Sequence, residues 1–410
     1  MKTAAIVSIL SLTLLFVSND QLSAQAEEEK PTYSSRHYPI NLAIWYPLSI
    51  NRTQHDSANL NFTLLYGRMG SVRGLDLSFG ASALNHELKG IQIAGIAGVS
   101  GNSTLGAQIS GLASVTGDDL KGAQVSGLIN IAGNTGKGFQ AAGGMNITGN
   151  HLQGLQASGL FNIVGDQLQG FQATGAFNIV GDRLKGFQAA GGFNIVGESC
   201  VGLQVAGLFN IVGDKLTGAQ IGVFNIAPYF SNAAQIGIIN VSAEMSGFQL
   251  GLVNWNGETH GIPVGFVNVS KRDGHIRWIN WGSNLSGINS GVKFEVGKIY
   301  SIVALGYGNL MKDKGSALSY AGYYGTYVYE SDVAIGVDVG YMHMDNKKFF
   351  KSNPGEPNQN ILIGRAHASY DISSTVTLIG GLGLSYVADQ HQSFGDGKFR
   401  PLIFLGVEVF

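Results

Sequence analysis

Apolar and polar positions through the middle of the chain recur with a period of 16 residues, which matches neither a helix face nor simple strand alternation. Glutamine keeps the beat at Gln92, Gln108, Gln124, Gln140, Gln156, Gln172, Gln188, Gln204 and Gln220. Asparagine keeps it at Asn130, Asn146, Asn162, Asn178, Asn194 and Asn210. One unit reads Gly170-Phe-Gln-Ala-Thr-Gly175-Ala-Phe-Asn-Ile-Val-Gly181-Asp-Arg-Leu-Lys185. Each unit divides at its glycines into Gly-x-Gln-x-x, Gly-x-x-Asn-x-x and a polar Gly-Asp-x-Leu-x. From Gly90 to Asn268 every Asp, Glu, Lys and Arg falls in the third piece, for example Asp118, Lys137, Asp166, Arg183, Glu198, Asp214 and Glu258. The pattern predicts two uncharged strands and a wetted turn per unit. A fixed short period marks a repeat architecture.

The register begins with a degenerate unit at Gly74-Leu-Asp76 and then shortens, with Asn225, Asn240, Asn254 and Asn268 spaced 15, 14 and 14 residues apart, for about twelve units over residues 74–273. Two architectures fit: each unit is a coil of a glycine-rich β-solenoid, or each is one long membrane strand plus a turn. In the 16-residue units Gln and Asn lie six apart, on one face of a straight strand. In the later units they lie five apart, as in Gln220 and Asn225. A one-residue change flips the face in a continuous strand and is harmless across a bend, which favours the solenoid. Twelve coils at about 4.8 Å make a rod of roughly 55 Å. Stacked amides then form ladders; the other reading of the amides is a polar comb that binds a polymer.

The texture changes after residue 274. Apolar-rich segments come in pairs: 291–296 with 299–307, 317–328 with 333–344, and 361–370 with 376–387, followed by a terminal strand on Phe410. Short turns join the partners, and long polar loops at 309–316, 345–360 and 388–400 join the pairs. That asymmetry is how outer-membrane barrels are built. Segments 41–48 and 60–66, before the repeat, supply two further candidate strands and 275–281 another, for an even-numbered barrel of eight to twelve that closes around a repeat insert. Tyr300, Tyr307, Tyr320, Tyr323, Tyr324, Tyr327, Tyr329, Tyr341, Tyr370 and Tyr386 are candidates for interfacial girdles. Lys293 with Glu295, and Arg365 with His367, alternate along strands and are expected to plug the lumen; a selectivity filter is the other reading.

Composition narrows the picture. Residues 1–26 read as a signal peptide: Lys2, an apolar run over 6–17 and a small-residue site at Ala24-Gln-Ala26, followed by Glu27-Glu-Glu29. Residues 27–73 read as a linker and N-terminal strands. The net charge of -2 gives no reason to expect nucleic acid as a partner. Charged residues make up 13% and glycines number 60, so the chain is about half as charged as a typical soluble domain. The single cysteine, Cys200, reads as an incidental free thiol in a turn and excludes an internal disulfide.

The ending Pro401-Leu-Ile-Phe-Leu-Gly-Val-Glu-Val-Phe410 resembles the terminal strand of Gram-negative outer-membrane barrels, in which an aromatic last residue is read by the barrel assembly machinery. Glu408 and Gly406 occupy the phase of the terminal aromatic, where the family has apolar residues; here Ile403, Leu405, Val407 and Val409 are the apolar set. The middle of the chain resembles the Gly-x-Gln-x-x-Gly-x-x-Asn surface repeats of bacterial envelope proteins. These resemblances imply insertion in the outer membrane, with its lipid and the assembly machinery as partners, and a surface location with an unidentified ligand.

No catalytic constellation stands out. His86-Glu87 has no second histidine four residues on, no Gly-x-Ser-x-Gly or phosphate-binding glycine loop occurs, and the Asp residues of Gly165-Asp166, Gly181-Asp182 and Gly213-Asp214 read as turn residues. No catalytic, cofactor-binding or metal-binding residue is assigned. The expectation is an all-β protein, a β-solenoid inserted in or attached to an antiparallel transmembrane barrel, with a non-enzymatic structural or adhesive role. A porin-like channel is the alternative; an envelope hydrolase has no residue to support it.

Overall fold

The computed structural model describes residues 35–310, 317–345, 358–389 and 397–410. The expected signal peptide and most of the three long loops lie outside them. Every regular element among the described residues is a β-strand.

From His37 to Ser270 the chain winds through about 14 turns of parallel β-solenoid. Strands pair with their equivalents one turn on and in register. Gln167–Thr174 pairs with Arg183–Ala190, Gln172 opposite Gln188. Phe177–Val180 pairs with Phe193–Val196, Asn178 opposite Asn194. Parallel stacking of successive units excludes the reading in which each unit is an antiparallel barrel strand. A coil holds one strand of seven or eight residues and one of four, separated by bends at glycines such as Gly175 and Gly181. The long strand kinks at a third glycine. Gly170 has φ +144° there, and a Cβ would run into the Gly154 carbonyl of the coil below. Only glycine combines that backbone with so close an approach.

The third piece of the repeat is therefore not merely a turn. Its leucine opens the long strand and points inward: Leu152, Leu168, Leu184 and Leu216 are buried, opposite Val164, Val180, Val196 and Val212. Only the flanking polar residues are wetted, because strand alternation turns Arg183 and Lys185 outward on either side of Leu184. Cys200 is likewise not in a turn. It lies in the strand Ser199–Ala206 at the leucine position, in register with Leu184 and Leu216, and is fully buried.

The later, shorter coils keep both amide columns in register: Asn210 pairs with Asn225, then Asn240, Asn254 and Asn268. The missing residue comes out of the bend between Gln and Asn, where Gln220-Ile-Gly222 leads into the strand Phe224–Ile226.

The segments before the repeat do not join the barrel. His37–Trp45 pairs in parallel with Ser57–Met69, which pairs with Ser71–Ser78 and Ala81–Leu84. They are the first coils of the solenoid. Asn41 and Asn61 stand at the ladder position, 20 and 15 residues before their partners, so the period does not reveal them.

Eight antiparallel strands, from Gly274–Ser283 to Lys398–Val409, form a closed barrel. Closure comes from the first strand pairing with the last, Trp278 opposite Val409 and Asn280 opposite Val407. The solenoid thus precedes the barrel and is not inserted into it. Its last coil docks on the barrel's outer wall. Asn268 Nδ2 donates to Ser301 Oγ (3.2 Å), Ser301 Oγ donates to the Phe266 carbonyl (3.0 Å), and Tyr324 OH donates to the Pro263 carbonyl (3.2 Å).

Candidate functional site

Beside the leucine and valine columns, the rest of the solenoid interior is polar. The glutamines of every coil from Gln92 to Gln249 and the asparagines from Asn130 to Asn254 are 0% exposed. That rules out the polymer-binding comb. Each glutamine donates to the one before it: Gln188 Nε2 to Gln172 Oε1 at 2.9 Å, Gln172 to Gln156 at 2.8 Å. The asparagines run the other way. Asn162 Nδ2 donates to Asn178 Oδ1 at 3.0 Å and Asn178 to Asn194 at 2.9 Å, and each spends its second N–H on a carbonyl of the next coil, as Asn178 does on Ala189. Buried amides need such pairing, and only at the head of the asparagine column is an oxygen, Asn130 Oδ1, left without a donor.

The glutamine column changes polarity in the first coils. Asn41 donates to Asn61 and Asn61 to Asp76, both at 2.7 Å, so this run points forward. Gln92 donates backward to Asp76 at 2.8 Å, and Ser82 adds a third bond at 2.6 Å. Two donors meet at one residue, and a carboxylate accepts on both oxygens with no N–H to conflict. Burial pushes the Asp76 carboxyl above its usual range, against the pull of bonds from Ser82, Gln92 and Asn61. Its spacing marked Asp76 as part of a first unit; the acceptor role needed the coil below.

Around this core the outward positions beside the amides are apolar. Phe171 and Ala173 flank Gln172, and Phe177 and Ile179 flank Asn178. Phe161, Phe177, Phe193, Phe209 and Phe224 stack in a column with ring centroids 4.6 to 5.4 Å apart. The charged residues Lys121, Lys137, Arg183 and Lys185 are exposed on the remaining segment.

The barrel lumen holds two ion clusters near the short-turn end. Lys293 donates to Glu408 (3.0 Å) and to Tyr327 OH, with Glu295 at 3.5 Å and Arg277 at 3.4 Å from Glu408. Arg365 grips Asp338 with two bonds of 2.7 and 3.0 Å, and Tyr300 OH donates to the same carboxylate. The Arg365 guanidinium stacks 3.7 Å from the Tyr323 ring, with Phe404 on another side. His367 packs against Tyr300 and Tyr327. Toward the long-loop end the lumen is filled by apolar side chains, among them Met342, Met344, Ile361 and Leu402. Lys293, Glu295, Arg365 and His367 therefore point into the lumen, as alternation suggested, and Lys293, Glu295 and Arg365 form ion pairs there. Asp338, Tyr300 and Glu408 were not singled out as their partners; Glu408 explains why the terminal strand departs from the apolar phase. Tyr300, Tyr323 and Tyr327 face inward and are not girdle residues. Tyr307, Tyr320 and Tyr341 are exposed toward the long-loop end, Tyr329 and Tyr370 toward the other.

Cys200 is walled in by the leucine and valine columns, and burial pushes its thiol up to about 12, far from thiolate chemistry at neutral pH. Among the described residues no three His, Cys, Asp or Glu side chains converge on a metal-sized point, and no helix is long and apolar enough to cross a membrane. Compared with known proteins, the chain matches no family model, no curated protein and no solved structure.

Proposed function

We propose that this is a non-enzymatic outer-membrane protein in which the barrel anchors the solenoid and the solenoid is the working part, a stiff structural element whose charged edge meets an external partner. The observation that carries the reading is the apolar outer wall of a barrel that keeps its ion pairs inside. Two ion clusters and an apolar layer occupy the lumen, while Ile288, Leu305, Val339, Leu382, Ile403 and Leu405 stand on the outer wall at 59–69% exposure. A closed sheet with that distribution satisfies its backbone and offers lipid an apolar band. Exposed tyrosines at both ends fit the two interfaces.

The same lumen favours anchor over channel. Two clusters and an apolar layer fill the cross-section that ions would need, and an eight-stranded barrel encloses only enough space for side chains. Export through a signal peptide over residues 1–26 and assembly through the terminal strand belong to this reading.

The test is expression in a Gram-negative host. The protein should be recovered in the outer-membrane fraction, with gel mobility that changes on heating, and should give no steps of conductance in planar bilayers. Porin-like conductance would replace the anchor with a channel. Recovery as a freely soluble periplasmic protein would end the membrane reading.

A further inference from the structure

We infer that the solenoid does not project into water but lies within one leaflet beside the barrel, with its Gln and Asn segments against acyl chains and only its charged segment at the headgroups. This rests on the membrane reading of the barrel.

The first observation is the inversion of the solenoid. From Ile91 to Val269, no outward position on the Gln and Asn segments carries a charge, a hydroxyl or an amide. The bends between them add a row of large side chains: Leu112 is 53% exposed, Leu128 49%, Leu160 50%, Leu208 45% and Leu252 50%. A water-soluble solenoid buries such residues. This one buries leucine and valine columns beneath its charged segment, and on the other two segments it buries the amides and turns the apolar side chains outward. A contiguous apolar face running from Ile91 to Val269 is the kind of exposed patch that marks a membrane or interaction surface.

The second is backbone satisfaction. Strand hydrogen bonds run from coil to coil along the axis, so the sides carry no unpaired ladder, the condition lipid imposes. At the barrel end the Pro263 and Phe266 carbonyls and the Asn268 amide of the last coil find partners in Tyr324 and Ser301.

The third is height. The contacts on the barrel wall are Ser301 and Tyr324, opposite each other on paired strands, and Gly322 beneath the Phe266 ring. Tyr324 is the seventh of the 12 residues in Leu318–Tyr329 and Gly322 the fifth, while Ser301 is the third of the 11 in Ile299–Asn309. The contacts therefore run from near the short-turn end of the wall to its middle, within the stretch where a transmembrane barrel meets hydrocarbon. A cleft of about 790 Å³ between the two bodies is lined by apolar side chains from both, including Leu250, Leu252, Phe266, Val339 and Leu362, so the outer surfaces are continuous. A segment of four or five strand residues spans about 15 Å, close to half of a hydrocarbon core about 30 Å thick. One leaflet accommodates it.

The test uses full-length protein in vesicles of phosphatidylethanolamine and phosphatidylglycerol. In a Cys200→Leu background, which restores the residue of the adjacent coils, single cysteines replace Leu160, Lys185 or Leu382 and carry a nitroxide. At Leu160→Cys and Leu382→Cys, accessibility to oxygen should exceed that to a water-soluble nickel chelate several-fold; at Lys185→Cys the order should reverse. If Leu160→Cys favours nickel while Leu382→Cys favours oxygen, the solenoid stands in water and the inference is overturned, with the anchor intact. If both favour nickel, the anchor reading falls as well. If Leu160→Cys is closed to both reagents, another copy of the chain covers the face and lipid is the wrong occupant. A second measurement leaves the cysteine alone. With Trp45, Trp278 and Trp281 changed to Phe, Trp255, 45% exposed beside Asn254, should lose most of its fluorescence in vesicles of chain-brominated lipid. Unquenched emission would count against the inference.

Discussion

At the scale of single residues, the solenoid depends on the direction of side-chain hydrogen bonds more than on their number. Asp76 accepts from Asn61 on one oxygen and from Gln92 and Ser82 on the other. Asp76→Asn keeps the shape and turns an N–H toward a donor. The expected cost is about 1–3 kcal/mol for a buried group left unpaired, read as a lower urea midpoint for loss of the N-terminal coils. A stability equal to the parent would show that the junction tolerates a donor. In the lumen, Arg365→Met leaves the Asp338 carboxylate buried with Tyr300 as its remaining hydrogen-bond donor. Breaking a buried pair by removing one partner costs about 3–5 kcal/mol, so the barrel should lose its heat-modifiable form at lower temperature.

At the scale of the element, each coil is held by its neighbours, which makes insertion and deletion cheap and a wrong corner expensive. Deleting one unit, residues 170–185, brings Gly154 and its strand against Gly186 and its strand, two segments of the same design. One-dimensional stacking predicts an assembled protein one coil shorter, with unchanged heat-modifiable mobility of its barrel. Loss of assembly would show that the coils cooperate beyond nearest neighbours. Gly170→Ala is the contrasting case. It deletes nothing, yet it forces a Cβ onto the Gly154 carbonyl at φ +144°. Strain at such a position is on the order of 1–3 kcal/mol before the collision is counted, so proteolysis within the repeat should rise far more for this one methyl group than for the missing coil.

At the scale of the molecule, two bodies with different hydrogen-bond logic meet end against side. The solenoid closes its ladders along its axis, and the barrel closes its own by meeting itself. Gly322 marks the contact, since a side chain there would press on the Phe266 ring. Gly322→Leu should separate the last coil from the wall. Tryptic cleavage at the exposed Lys271 and Arg272 should then speed up several-fold while the barrel band remains heat-modifiable. Unchanged cleavage would mean that the docking hydrogen bonds from Ser301 and Tyr324 suffice without the packing.

What the sequence determined by itself was everything with a short repeat length. The positions of Gln172 and Asn178, the bend that absorbs the one-residue deletions and the inward alternation of Lys293 and Arg365 follow from steps of two, five or sixteen residues along one chain. Such signals are local, because strand geometry ties side-chain direction to residue number. The tertiary structure decided what depends on distant partners. Asn41 and Asn61 join the ladder through irregular spacings. Asp338 meets Arg365 across 27 residues, and Glu408 meets Lys293 across 115. Those pairs exist only because the sheet closes at one strand number and register, which no periodicity encodes. The sign of each surface was likewise open. Alternation shows that Gln172 and Phe171 face opposite ways, but only the winding of the coil shows that the amide is inside and the ring outside, and only the docking at Ser301 and Tyr324 sets that apolar exterior against the barrel wall.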